Sequence, residues 1–141
     1  MSNARNVISG THGKVFFDDE EVMQLKAFQA KDEYKKEDIQ CCGTMSVGYK
    51  ITSVEGKGSL KTNKVDSMLI RKLAFRVRKD GKTPTFTLVG SLADPDGLGA
   101  ERIAFYNVVF DDLTLFDFES AKPGEIEAPF TYENYDLLDT I

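Results

Sequence analysis

The chain has little of what most active sites are built from. It holds one histidine and two cysteines in 141 residues, and the cysteines, Cys41 and Cys42, are adjacent. Neighbours on an extended chain point apart, so an ordinary structural disulfide between them would be strained. Adjacent thiols are neither a CxxC redox motif nor a zinc ligand set. They are expected as buried or loop thiols, with pairing between subunits as the alternative. His12 stands beside Gly13 with no Ser, Cys or carboxylate constellation around it. No apolar run approaches the roughly 18 residues of a membrane-spanning helix. Met1 to Gly10 contains no apolar signal-peptide core, so the chain is expected in the cytoplasm. Internal repeats and low-complexity segments are also missing.

Phosphate and metal chemistry lack their residues too. Gly56-Lys57-Gly58-Ser59 has no first glycine at phosphate-loop spacing and is expected as a strand bulge, since glycine inside a strand marks a bulge or a close backbone approach. Asp94-Pro95-Asp96-Gly97-Leu98-Gly99 has aspartates at the first and third positions of a calcium loop. Its fifth position is Leu98 and its twelfth Phe105, which cannot supply the six to eight oxygens that calcium takes. That segment is expected as a turn. Asp111-Asp112 and Glu125/Glu127 have no partner base. No enzyme, cofactor or metal is expected.

What is present is one domain's worth of chain with a soluble balance, 41% apolar and 29% charged. The net charge of −5 is unevenly spread: nine of the eighteen basic residues lie between Lys57 and Lys82. From Asp94 to Ile141 there are twelve acidic residues against Arg102 and Lys122. A basic patch facing a neighbour's acidic patch supports head-to-tail self-association, although a balance within one molecule accounts for charge alone. Nucleic-acid binding is disfavoured, because Phe75 is the basic stretch's only aromatic.

Period-2 patterning and turn residues predict strands over Lys14–Phe17, 22–34, 49–62, 85–92, 102–110, 113–118 and 126–132. Asp18-Asp19-Glu20-Glu21 is expected as a solvated turn, and residues 1–12 as a flexible arm before a single domain over 13–141. One helix is predicted, capped by Asp66 or Ser67 and stopped by Gly81. Leu69, Ile70, Leu73 and Val77 form its buried stripe, with Arg71, Arg78 and Lys79 on the opposite face. Several strands, one helix and several strands argue a mainly β fold: two packed sheets, sandwich or barrel, with one flanking helix. The pattern breaks at Lys36, Glu37, Asp38, Ile39, Gln40, Cys41, Cys42, Gly43, Thr44, Met45, Ser46, Val47 and Gly48. A long exposed loop with apolar residues is a functional signal.

Three stretches carry a family resemblance. Gly48-Tyr49-Lys50, Gly56-Lys57-Gly58-Ser59-Leu60 and Lys64-Val65-Asp66-Ser67 form the first. The second is Ser91 to Arg102 followed by Val108-Val109-Phe110-Asp111-Asp112-Leu113, and the third is the ending from Pro129-Phe130-Thr131 to Asp136-Leu137-Leu138-Asp139. In this order they resemble the tail-tube proteins of PBSX-type prophages, to which R-type bacteriocin tubes are also similar. Cys41-Cys42 is not expected of that family. The resemblance implies hexameric rings whose inner strands join into a lumen barrel, stacked into a tube through the 36–48 loop. That loop is expected to be mobile in the free subunit and ordered between rings. The charged helix face would meet the sheath or the next subunit. Implied partners are further copies of the chain and the sheath, baseplate or tube-initiator, and tape-measure proteins, with DNA only as passing cargo. The particle would assemble in a bacterium and leave on lysis. A type VI-like secretion tube is the alternative within this class, and a monomeric β-barrel ligand-binding module the alternative outside it.

Overall fold

The computed structural model describes residues 4–22, 24–63, 70–71, 74, 77–78, 81 and 83–140. The fold is mainly β. Among the described residues eight strands make one antiparallel sheet: β1 Gly13–Phe17, β2 Glu20–Glu21, β3 Leu25–Ile39, β4 Gly48–Asn63, β5 Phe86–Leu92, β6 Glu101–Phe110, β7 Glu125–Tyr132 and β8 Asn134–Asp139. Their order is β2-β1-β5-β6-β7-β4-β3, with β8 also on β6. The two packed sheets expected from the sequence are thus two parts of one sheet. Strand β6 joins them, pairing β5 and β8 along most of its length and β7 at its end through Val109↔Thr131 and Phe110↔Phe130.

The core is where the two parts meet. Val15, Phe17, Leu60, Leu88, Val108 and Phe130 are its most enclosed side chains. Aromatic rings knit the layers: Phe105 lies 6.0 Å from Phe28 and 4.9 Å from Tyr132 between ring centres. The Tyr132 hydroxyl donates to Asp32 at 2.8 Å. Burial, then that hydrogen bond, pushes the phenol's pKa far above its usual value. Strands β1, β5 and β7 alternate in burial, as half-buried antiparallel strands do. Asp18 and Asp19, with φ of 48° and 70°, make the turn from β1 to β2, as a two-residue hairpin of this hand requires. Glu20 and Glu21, expected in that turn, are strand instead.

Several expectations need correction. The second strand is longer and later than predicted, Leu25–Ile39, and within the 36–48 stretch only 40–47 lies outside the strands. Leu113–Phe118 is not a strand despite its pattern; no neighbouring strand offers it a ladder among the described residues. Strand β8 escaped the sequence pattern because all six residues are exposed, which erases any burial contrast. Residues 4–6 and 10–12 form 3-10 turns. The Ser9 amide donates to Asp94 Oδ2 at 2.8 Å and the Asp96 amide to Asp94 Oδ1 at 2.9 Å. Those amides hold the Asp94 carboxyl below its usual range, against partial desolvation, with His12 adding a small effect.

Ile70, Arg71, Ala74, Val77 and Arg78 are helical. Ile70 and Ala74, four apart, are half-buried on one face, and Arg71 and Arg78 are exposed. Val77 departs from expectation: it is 51% exposed, so cover is lost toward the last turn. Gly81, φ 62°, follows in left-handed conformation. Leu69, Leu73 and Lys79 lie outside the described residues.

Candidate assembly surface

Strands β3 and β4 stay paired from Leu25↔Thr62 out to Ile39↔Gly48. Among the described residues strand β4 has a second neighbour only over Gly56–Asn63, where β7 flanks it. Beyond Gly56↔Tyr132 the chain of β7 turns to β6 and continues as β8. Residues 33–55 are therefore left as a two-stranded arm with no third strand among the described residues. Seven residues at about 3.3 Å each carry it roughly 23 Å from the body. Gly43, φ 88°, shapes its tip, where Cys41 and Cys42 are exposed free thiols.

The two faces of the arm differ, and the register shows how. Residues directly opposite in an antiparallel pair share a face. Tyr34 lies opposite Val54, Lys36 opposite Ile51 and Asp38 opposite Tyr49. On the other face Glu33 meets Glu55, Lys35 meets Ser53 and Glu37 meets Lys50. Between them a bulge carries Thr52, whose hydroxyl donates to the Lys35 carbonyl at 3.1 Å. The first face is apolar-rich and the second charged.

The apolar-rich face is the core face of the sheet, continued into solvent. Closer to the body it carries Gly56 and Gly58, opposite Asp32 and Ala30. The rings of Tyr132 and Phe130 lie where Cβ atoms on these glycines would be. Past Gly56 nothing among the described residues covers this face: Tyr34, Tyr49, Ile51 and Val54 are all more than half exposed. Lys36 leans across, its Nζ 5.5 Å from the Tyr49 ring centre. The opposite face carries an ion cluster where Lys57 approaches Glu33 at 3.5 Å and Glu55 at 3.8 Å, and Lys31 reaches Glu33 at 3.6 Å. Exposed pairs of this kind contribute little stability but keep that face wet.

All thirteen residues of the expected 36–48 site lie on this arm. Lys36, Glu37, Asp38 and Ile39 end β3, Gly48 begins β4, and 40–47 connect them. Reading from sequence missed that the surface extends back along both strands to Tyr34 and Val54. The signal was the alternation of Tyr49 and Ile51 against Lys50 and Thr52, and only strand register puts Tyr34 beside them. Arg71 and Arg78 are exposed on the helix. A second apolar surface also escaped notice: Leu115, Phe116 and Phe118 stand exposed between β6 and β7. Among the described residues no three metal-ligating side chains gather.

The model of the family described as "Phage tail tube protein" matches residues 1–139. The chain belongs to the phage tail tube protein family. A phage-like element PBSX protein, XkdM of Bacillus subtilis (strain 168), is 35% identical over 140 residues, spanning 98% of this chain and 95% of that one. The anti-feeding prophage cap, which terminates the tube of that particle, superposes with a TM-score of 0.76 at 12% identity, over 99% and 96% of the two chains. A chain of the sheath–tube complex of an extracellular contractile injection system superposes with a TM-score of 0.73 at 12% identity, over 99% and 100%. At such identities the likeness is one of fold. The family is structural, so this tail tube protein is a structural component of a phage tail or tail-like particle and not an enzyme.

Proposed function

We propose that this tail tube protein is the repeating subunit of the inner tube of a contractile phage tail or headless tail-like particle. Copies form hexameric rings, and the rings stack through the 33–55 arm into a tube with a continuous lumen. Sheath contraction then drives that tube through a target envelope. The work is mechanical: the subunit supplies stiffness and a smooth bore. Its partners are other copies of itself, the sheath, the baseplate or initiator that starts the tube, and the tape-measure protein. DNA is cargo where the particle carries any.

One observation carries this reading, the core face that runs on uncovered along the arm. A lone two-stranded hairpin is marginal in water, and an apolar face beyond the fold gains stability only when another surface covers it. The unpartnered edges of the arm add to the demand, since open edges invite pairing with another chain. Electron microscopy of concentrated protein, with light scattering across salt and protein concentration, tests the reading. Rings and tubes are expected. A monodisperse monomer under every condition refutes it.

A further inference from the structure

The stacked-ring reading leaves open where the tip of the arm lands, and the two ends of β3 answer that. At the far end, Ile39 to Tyr49 is an uncharged run of eleven residues in a chain that is 29% charged. Met45 is fully exposed there, with Ile39 and Val47 partly so. At the near end, Leu25, Phe28 and Ala30 face Ile103 and Phe105 across a solvent-open groove of about 740 Å³. The groove's charged lining residues are Lys14, Lys26 and Glu101.

We propose that the arm tip of one copy, Met45 with Ile39 and Val47, seats in the β3/β6 groove of a second copy in the next ring. This rests on the stacked-ring reading and adds the receptor site. Strand β3 is 15 residues long, roughly 46 Å from end to end at about 3.3 Å per residue. A tip cannot reach its own groove, so the contact is head to tail. Joining two different patches in this way repeats without closing on itself, as a stack of rings requires. The uncharged tip enters an apolar floor without stripping water from a charge. Glu37 and Asp38, directly behind the tip, are opposite in sign to Lys14; Lys26 is already paired with Glu125, so Lys14 is the lining cation that their carboxylates would meet.

The chain's own cysteines make the test. In a Cys42→Ser background each copy keeps one tip thiol, at Cys41. Ser91→Cys then places a second thiol on the groove wall, and Glu119→Cys gives an exposed control elsewhere. Tubes of each are treated with a short bismaleimide and mapped by mass spectrometry. Cross-links from position 41 to position 91 are expected between chains, with none to position 119. Normal tubes with no 41–91 link, or with equal links to 119, overturn the groove contact and leave the stacked-ring reading standing. Absence of tubes from the parent chain removes both. Should Ser91→Cys block folding or assembly, the Cys42→Ser chain carrying a photoreactive maleimide at Cys41 is mixed into unlabelled tubes. Capture of the β1, β3, β5 or β6 residues that line the groove supports the contact, and capture elsewhere on the neighbour overturns it.

Discussion

Gly58 should be among the least replaceable small residues in this fold, and the structure sets the size of the effect. A Cβ at Gly58 would stand 2.4 Å from the Gln29 carbonyl oxygen and 2.5 Å from Cζ of Phe130. Real Cβ atoms do not approach so closely. The Phe130 ring lies in the enclosed core, and the Gln29 oxygen belongs to the backbone of the paired strand. Relief therefore means opening the β3–β4 ladder or expelling a core ring. Overpacking of this kind costs about 1–3 kcal/mol, partly offset by the 0.5–1 kcal/mol or so that replacing glycine with alanine in a strand recovers. Gly90 is the internal control. Its Cβ would meet Phe28 at 3.5 Å, an ordinary contact, so Gly90→Ala should be neutral or stabilising by about 0.4–1 kcal/mol. At about 3 °C per kcal/mol for a domain this size, Gly58→Ala should melt several degrees below the parent and Gly90→Ala at or slightly above it. Circular dichroism melts of dilute, unassembled protein measure both. If Gly58→Ala melts with or above the parent, the close approach of Phe130 and β3 to this glycine is wrong.

Other substitutions separate fold from assembly. Leu88→Ala, at a fully enclosed site, should lose about 2–5 kcal/mol in denaturant unfolding. Tyr49→Ser with Ile51→Ser should shift monomer stability by no more than about 0.5 kcal/mol per site and abolish tubes in electron micrographs. A melt as low as that of Leu88→Ala would place those side chains in the fold instead. Deleting 41–47 should likewise leave a folded, non-polymerising domain, and intact tubes would show the tip to be dispensable. Arg71→Glu with Arg78→Glu should spare the melt and weaken a contact between molecules, seen as loss of sheath co-sedimentation or of tubes; a collapsed monomer would contradict their exposed placement. Asp94 predicts an acid effect. Its folded pKa is depressed, so its anchoring of Ser9 is complete above the unfolded carboxylate value of about 3.9 and fades as pH falls through the lower folded value. Protection of the Ser9 amide, its exchange relative to the free-chain rate at the same pH, should fall at that acid edge, and in Asp94→Asn already at neutral pH; pH-independent protection in the parent would refute the link.

Sequence alone determined whatever a segment decides for itself. Strands β1, β5, β6 and β7 bury alternate or near-alternate residues against one core, and that contrast is written in the residues as period 2. The left-handed Gly81 after the helix, and the turn at Asp18-Asp19, follow from local backbone preference in the same way. Tertiary structure decided whatever depends on a partner's position. Leu113–Phe118 has the pattern of a strand but no ladder to join. The exposed stretch Asn134–Asp139 is a strand because β7 ends beside β6 and carries the chain onto it. Gly56 and Gly58 read as a bulge, but the register runs through them without a shift; they are glycines because Tyr132 and Phe130 pack against them, which only the fold shows. The arm is the clearest case. Along 49–55 alternation of residue type marks a strand, but along 35–39 both faces are wet in the single chain and no burial contrast marks one. Which side chains line up with the core is set by a register of hydrogen bonds and one bulge, and a hydrogen-bond register depends on backbone groups that every residue shares.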